Sequence, residues 1–322
     1  MPIASTQAET IDSLELGTAS SAAQRGWSVL PAKYAFPEQR PTLQEAQEYC
    51  RKLARSHYEN FSVATMFLPK HLRQHFFNVY AYCRISDDLG DEVGDPEASL
   101  ALLDEWETEL DRCYDGGARH AVFVALAETV REFDIPKHEF SDLLRAFRQD
   151  QTVTRYETFQ DLLGYCRYSA NPVGHLVLYL CGYRDAERQR LSDFTCTALQ
   201  LANFWQDVAS DYLRGRVYLP LEDLRRFGVD ERGISESQFT PEFGQLMRFE
   251  VARAREWFQQ GLPLIDQVGR NLSRDLDLFS RGGLEILNAI EEQDYDVLSR
   301  RPALSKGRKL KLVARAVWSR LI

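Results

Sequence analysis

From about residue 42 onward, apolar positions recur every three or four residues: Leu72, Phe76, Val79, Tyr80 and Cys83; Leu100, Leu103, Trp106 and Leu110; Leu143, Leu144 and Phe147. That period belongs to an amphipathic α-helix with one buried face, and no alternating segment argues for a strand. Breakers divide the series at Pro69, Asp95-Pro96, Gly116-Gly117, Ile135-Pro136, Gly215 and Pro220; Pro241 opens a further helix and Gly282-Gly283 interrupts a later one. The spacing predicts roughly ten helices in one all-α domain over residues 42–322, with 224–240 as the longest irregular piece. Residues 1–41 carry Ala, Ser, Thr, Gln and Pro without periodicity and read as a mobile N-terminal leader.

Composition narrows the function classes. The 322 residues carry a net charge of −9, which argues against a protein that wraps nucleic acid. Six cysteines (Cys50, Cys83, Cys113, Cys166, Cys181, Cys196) form no CxxC pair, as expected for reduced thiols in a cytoplasmic protein. The first residues contain Glu9, Asp12 and Glu15 and neither a basic nor an apolar region, so no targeting segment is expected. No apolar run reaches the roughly 18 residues that span a bilayer, leaving only peripheral membrane contact. Charge is polarised along the chain: residues 300–322 hold eight basic groups and no acid, leaving 31 basic against 48 acidic groups before them. Lys306 to Ile322 reads as an amphipathic helix with Leu310, Val313, Val317 and Leu321 along one side. It suits a final core-packing helix, and also transient docking at the anionic inner face of a membrane.

Two acidic segments sit inside otherwise apolar helical patterns, Asp87-Asp88-Leu89-Gly90-Asp91-Glu92 and Asn203-Phe204-Trp205-Gln206-Asp207-Val208-Ala209-Ser210-Asp211. At roughly 100° per residue, Tyr80, Arg84, Asp87 and Asp91 fall within an arc of about 60°, and Gln200, Asn203, Asp207 and Asp211 within about 80°. An acidic run on a helix is ordinarily a solvated face. Two separate polar stripes, embedded among aromatics and followed by Arg216 and Tyr218, are better explained together. Carboxylates at i and i+4 repel unless a cation relieves them, and Asp and Asn oxygens suit Mg²⁺, which bridges readily to phosphate oxygens. Metal-assisted diphosphate chemistry is the leading expectation.

Three motifs, in order, then resemble the squalene and phytoene synthase family of head-to-head prenyl synthases: His57-Tyr58-Glu59-Asn60-Phe61, Tyr80 through Asp91, and Asn203 through Asp211 with the trailing Gly215 to Pro220. The resemblance covers nearly the whole chain from Thr42. It implies an isoprenoid-synthase helical fold around a central apolar cavity, with Mg²⁺ (Mn²⁺ as a substitute) between Asp87 and Asp91 on one side and Asn203, Asp207 and Asp211 on the other. It also places His57, Asn60, Arg84 and Arg216 near the diphosphate of a prenyl substrate, with Tyr80, Gln200 and Tyr218 beside them, Phe61 and Tyr165 on the cavity wall, and Arg300 as a weaker phosphate group. Asp88 and Glu92 would support these from behind.

Departures from the condensing members point to a branch. Gln206 stands where Arg usually precedes the second-motif Asp, Tyr168-Ser169-Ala170-Asn171-Pro172-Val173-Gly174 replaces Ala-Gly-Thr-Val-Gly, and Phe147-Arg148-Gln149-Asp150 replaces a Met-Glu-Met-Asp-like run. The combination is similar to the hydroxysqualene synthase branch of hopanoid pathways, which finishes presqualene diphosphate with water. On that resemblance Asn171 and Gln206 would orient the water, NADPH is not expected, and other triterpene-pathway enzymes are the partners suggested. Condensation of two farnesyl or two geranylgeranyl diphosphates is the alternative reaction, and a non-catalytic assembly protein on the same scaffold is the alternative class.

Overall fold

Local chemistry at the element boundaries explains where the helices start. Thr42 and Glu45 form a reciprocal cap, with the Thr42 amide donating to Glu45 Oε2 (2.9 Å) and the Glu45 amide to Thr42 Oγ1 (3.3 Å), and α1 (Leu43–Ser56) follows. The computed structural model describes residues 39–56, 69–305 and 307–308. His57, Asn60 and Phe61, the amphipathic segment beyond Arg308 and the leader up to residue 38 lie outside the described residues.

The remaining elements are α2 (Arg73–Asp91), α3 (Pro96–Tyr114), α4 (Ala121–Phe133), α5 (His138–Gln149), α6 (Phe159–Ser169), α7 (Asn171–Leu180), α8 (Ala186–Leu213), α9 (Leu221–Phe227), α10 (Glu231–Ser235), α11 (Pro241–Gly261), a 3₁₀ turn (Leu262–Gln267) and α12 (Arg270–Glu291). No strand occurs among the described residues; an isolated bridge joins Arg155 and Val217. Breakers act as expected at Asp95-Pro96, where Asp95 accepts from the Ala98 amide, and at Thr240-Pro241, where Thr240 caps α11. Two expectations are corrected. Residues 224–240 carry α9 and α10 rather than a purely irregular stretch. Gly282-Gly283 does not interrupt a helix: α12 runs through it, because a Cβ on Gly283 would lie 2.3 Å from Phe258 Cζ and 2.9 Å from Leu199 Cδ2. The glycine permits close helix packing.

Two long helices organise the fold. α2 packs against α1, α3, α4 and α5, whereas α8 packs against α6, α11 and α12, and α7 touches both. Trp205, Leu201 and Ala198 of α8 join Leu246, Met247 and Phe258 of α11 and Leu287 and Ile290 of α12 in one buried cluster. At roughly 25 cal/mol per Å² of apolar surface, this burial fixes α8. Its opposite face is thereby left to line a cavity.

Candidate active site

The two predicted stripes come together at one end of this helix pair. Asp91 is the last residue of α2 and Asp211 lies in the last turn of α8, so the negative ends of both helix dipoles add to the carboxylate charge. Gly215, at φ +80°, turns the chain so that the Arg216 amide donates to Asp211 O (2.9 Å), a left-handed backbone position glycine adopts without strain. Arg216 then spans the gap and its Nη2 donates to Asp91 Oδ1 at 2.8 Å. Burial opposes its charge, but the bond and charge of Asp91 outweigh burial and raise the guanidinium pKa further. Arg155 braces the turn, reaching Gly215 O (2.6 Å) and both oxygens of Glu231 (2.8 Å).

The carboxylates crowd one another. Burial, then Asp91, pushes Asp87 up to about 6; burial, then Asp207, pushes Asp211 up to about 7, with Asp91 across the gap adding to the rise. Like charges held close in this way favour the protonated form of each carboxyl, and an added positive charge would relieve them. Arginines supply part of that charge. Arg84 pairs with the buried Asp88 and with Glu92 (2.8 Å), and more loosely with Asp87 (3.4 Å), so Asp88 and Glu92 hold Arg84 beside the stripe. Arg301 Nη2 donates to Asp207 Oδ2 (2.9 Å) and Gln206 Oε1 (3.1 Å). Among the described residues no three acidic, His or Cys side chains close around a single point; Asp91 and Asp207 are turned toward arginines instead. The donor set of carboxylates plus Asn203 nevertheless fits Mg²⁺, and the exposed Asn203 and half-buried Gln200 continue the α8 stripe.

One carboxylate of the site was not foreseen. Asp150, at the end of α5, is 8% exposed; its Oδ2 accepts from Tyr165 OH (2.8 Å) while Oδ1 has no partner. Burial pushes it up to about 7 against the pull of Arg216, and both Asp91 and Asp87 contribute to the rise. A further acidic group therefore lies beneath the mouth. Its signal in the sequence was the Asp of Phe147-Arg148-Gln149-Asp150, which has no partner at helical spacing.

Other predicted residues are placed differently. Tyr165 is not on the lining of the apolar cavity but in a stack with Tyr156 (ring centroids 5.5 Å), Phe204 (6.2 Å) and Tyr218 (5.9 Å), and Phe204 and Tyr218 lie face to face at 3.8 Å. Arg300 turns to Gln293 Oε1 (3.1 Å), and it is the neighbouring Arg301 that reaches the site. Asn171 and Gln206 are not brought together: Asn171 Oδ1 accepts from Thr197 (3.0 Å), and Gln206 Nε2 donates to Pro302 O (2.6 Å). Their amides anchor α7 to α8 and the chain around Pro302 to α8.

Below the mouth the same two helix faces turn apolar. Phe76, Val79, Tyr80 and Cys83 continue the Asp87 stripe along α2, and Ser192, Thr195, Cys196 and Leu199 continue the Asn203 stripe along α8, around a cavity of about 310 Å³. Phe76 to Asp87 and Ser192 to Asn203 are both eleven residues, so each pair returns to within about 20° of the same face. Gly174 of α7 also lines the cavity; a Cβ there would lie 2.2 Å from Ser192 Oγ. An acidic mouth over a greasy interior suits a ligand with a charged head and a hydrocarbon tail.

Comparison with known proteins agrees with this geometry. Residues 54–308 match the model of the squalene/phytoene synthase family. A 15-cis-phytoene synthase of Synechococcus elongatus is 30% identical over 281 residues, covering 84% of this chain and 91% of the relative. Among solved structures, squalene synthase HpnC from Alicyclobacillus acidocaldarius is 45% identical with a TM-score of 0.76, covering 83% of this chain and 97% of that one. A dehydrosqualene synthase solved with a ligand is 28% identical with a TM-score of 0.77, covering 85% and 96%. With its family model matched over most of its length and its helices arranged as in these enzymes, the chain belongs to the squalene/phytoene synthase family.

Proposed function

We propose that the protein is a Mg²⁺-dependent hydroxysqualene synthase, converting presqualene diphosphate and water to hydroxysqualene and diphosphate in hopanoid and squalene biosynthesis. The observation that carries the reading is the continuity of each Asp-bearing helix face with the wall of the apolar cavity. The branch is supported by the 45% identity to a squalene synthase HpnC, against 30% to a phytoene synthase.

Asp87, Asp91, Asn203, Asp207 and Asp211 would hold the metal. When bound, Mg²⁺ would draw charge from the departing diphosphate as a Lewis acid. Arg216 and Arg301 reach the carboxylates of the mouth and present planar donor forks that would match the oxygens of a bound diphosphate. The C–O bond breaks with its electron pair leaving on the diphosphate. The rearranged cation is captured by a water oxygen, which forms the new C–O bond and gives its proton to diphosphate oxygen. Tyr165, Phe204 and Tyr218 pack on one another as a dense aromatic layer beside the mouth. No reductant enters this balance, so NADPH is not required. A triterpene product favours release at a membrane surface, and no helix among the described residues is long and apolar enough to cross one.

Incubation of the purified protein with Mg²⁺ and presqualene diphosphate in ¹⁸O-labelled water is expected to yield a C30 alcohol carrying one label. An unlabelled alcohol would mean that water attacks phosphorus and the P–O bond breaks, which overturns capture of the cation by water; turnover confined to farnesyl or geranylgeranyl diphosphate would replace this reading with condensation.

A further inference from the structure

Among the described residues that line the apolar cavity there is one carboxyl group, and the mouth chemistry does not use it. Asp275 of α12 lines the cavity and is 2% exposed, and neither carboxyl oxygen has a hydrogen-bond partner. Its position along the cavity is set by its neighbours. Leu272 and Leu276 of the same helix pack with Leu178 of α7 and Leu191 at the start of α8, and the Asp275 charge reaches the Cys181 thiol at the end of α7. Asp275 is therefore level with Leu191 and Ser192, at the end of the cavity remote from the metal-binding stripe.

Length decides what reaches it. Along α8, the eleven residues from Asn203 to Ser192 span about 16 Å. An isoprene unit places four chain bonds of about 1.5 Å in line, advancing roughly 5 Å when extended. Three units anchored by a diphosphate at the mouth advance about 15 Å and stop just short of the level of Ser192 and Asp275, and a fourth runs past it onto the carboxyl. A carboxyl group with no protein partner is satisfied by a small hydroxylic molecule such as water and is left unsatisfied by an alkyl chain end, which also excludes the water.

We infer that Asp275 is a polar floor of the prenyl cavity, a specificity-determining residue that admits tails of three isoprene units and rejects tails of four. This rests on the proposed prenyl diphosphate reading and goes beyond it by assigning the length limit to one side chain on α12. The expected discrimination is that of covering an unpaired buried polar group, roughly five- to a hundredfold in binding.

The test is equilibrium binding of the non-hydrolysable S-thiolodiphosphates of farnesol and geranylgeraniol to the full chain with Mg²⁺, followed calorimetrically. The wild type is expected to bind the farnesyl analogue at least about tenfold more tightly. Asp275→Leu and Asp275→Ala are expected to narrow that ratio to about threefold or less by improving geranylgeranyl binding, whereas Asp275→Asn, which keeps a polar floor, retains the preference. The alanine variant introduces no added bulk, so the result survives a failure of the leucine variant to fold. Tight binding of both analogues with a ratio that Asp275→Ala leaves unchanged would overturn the polar floor alone. Failure of both analogues to bind in the presence of Mg²⁺ would overturn the prenyl diphosphate reading and this inference with it.

Discussion

At the mouth, Asp87, Asp91, Asp207 and Asp211 stand among Arg84, Arg216 and Arg301; at the cavity floor, Asp275 stands with no hydrogen-bonding partner. Burial shifts carboxyls upward in both places, but the mouth adds charge–charge repulsion that a divalent cation can reverse. At the floor burial alone raises the pKa, to about 7, and a hydrophobic neighbour cannot relieve it. The same residue type thus crowds one end of the cavity with charge and leaves at the other a lone polar group whose protonated form burial favours.

The largest expected effect tests the mouth. Asp211→Asn keeps size and hydrogen-bonding capacity but removes one charge from the facing sets, and should lower turnover by about 10³-fold, the order of losing several kcal/mol of metal-assisted stabilisation. Steady-state product formation at saturating Mg²⁺ measures it, and activity within threefold of wild type would deny that the two stripes work as a unit.

The floor is tested by pH. In the unfolded chain Asp275 titrates near 3.8 and in the fold near 7, so between these values the native state holds one more proton than the unfolded state. Its contribution to stability is complete below about 3.8 and is lost as pH rises through 7. Between pH 5.5 and 7 this amounts to about 2 kcal/mol. Urea unfolding should show this component in the wild type and not in Asp275→Asn; parallel pH profiles would mean that the floor carboxyl does not carry the linkage.

Tyr165→Phe sharpens the boundary between the two regions. The Tyr165 hydroxyl donates to Asp150 Oδ2, and the other carboxyl oxygen already lacks a partner. Removing the hydroxyl should cost about 1–2 kcal/mol in denaturant unfolding. A stability loss below 0.3 kcal/mol, on the order of measurement error, would mean that water replaces the phenol and that Asp150 is wetter than its burial implies.

Much of this contrast was legible in the sequence, for a physical reason. The two acidic stripes lie on single helices, and helical spacing reports directly which side chains share a face: Tyr80, Arg84, Asp87 and Asp91 on α2, Asn203, Asp207 and Asp211 on α8. What sequence did not show depends on contacts between distant elements. Asp150 enters the site only because α5 ends against Tyr165 and beneath Arg216. Arg301 reaches Asp207 while Arg300 turns away, since adjacent residues in a non-helical segment point in different directions. Gly283 reads as a breaker until Phe258 and Leu199 are seen to occupy the space of its missing side chain. Asp275 left a trace, an acid among Leu272, Leu276 and Phe279 at i−3, i+1 and i+4, where an amphipathic helix should carry an apolar residue.

The smallest effect concerns Arg301 and decides how the mouth is held before metal arrives. Its side chain is 56% exposed, and its partner Asp207 is 24% exposed, so solvent screens the pair and its removal should alter folding stability by less than about 1 kcal/mol. Its consequence for ions should be clearer. Arg301 and a divalent cation compete for the Asp207 carboxylate, and Arg301→Ala should therefore reduce the Mg²⁺ concentration for half-maximal binding by about threefold, a shift of the size expected for an exposed ion pair. Titration of Mg²⁺ against intrinsic fluorescence, with no diphosphate present, separates this competition from any contact of Arg301 with substrate. A rise in the Mg²⁺ requirement would instead make Arg301 a support that aims Asp207 at the metal, and the arginines of the mouth would then be part of the ion site rather than its placeholder.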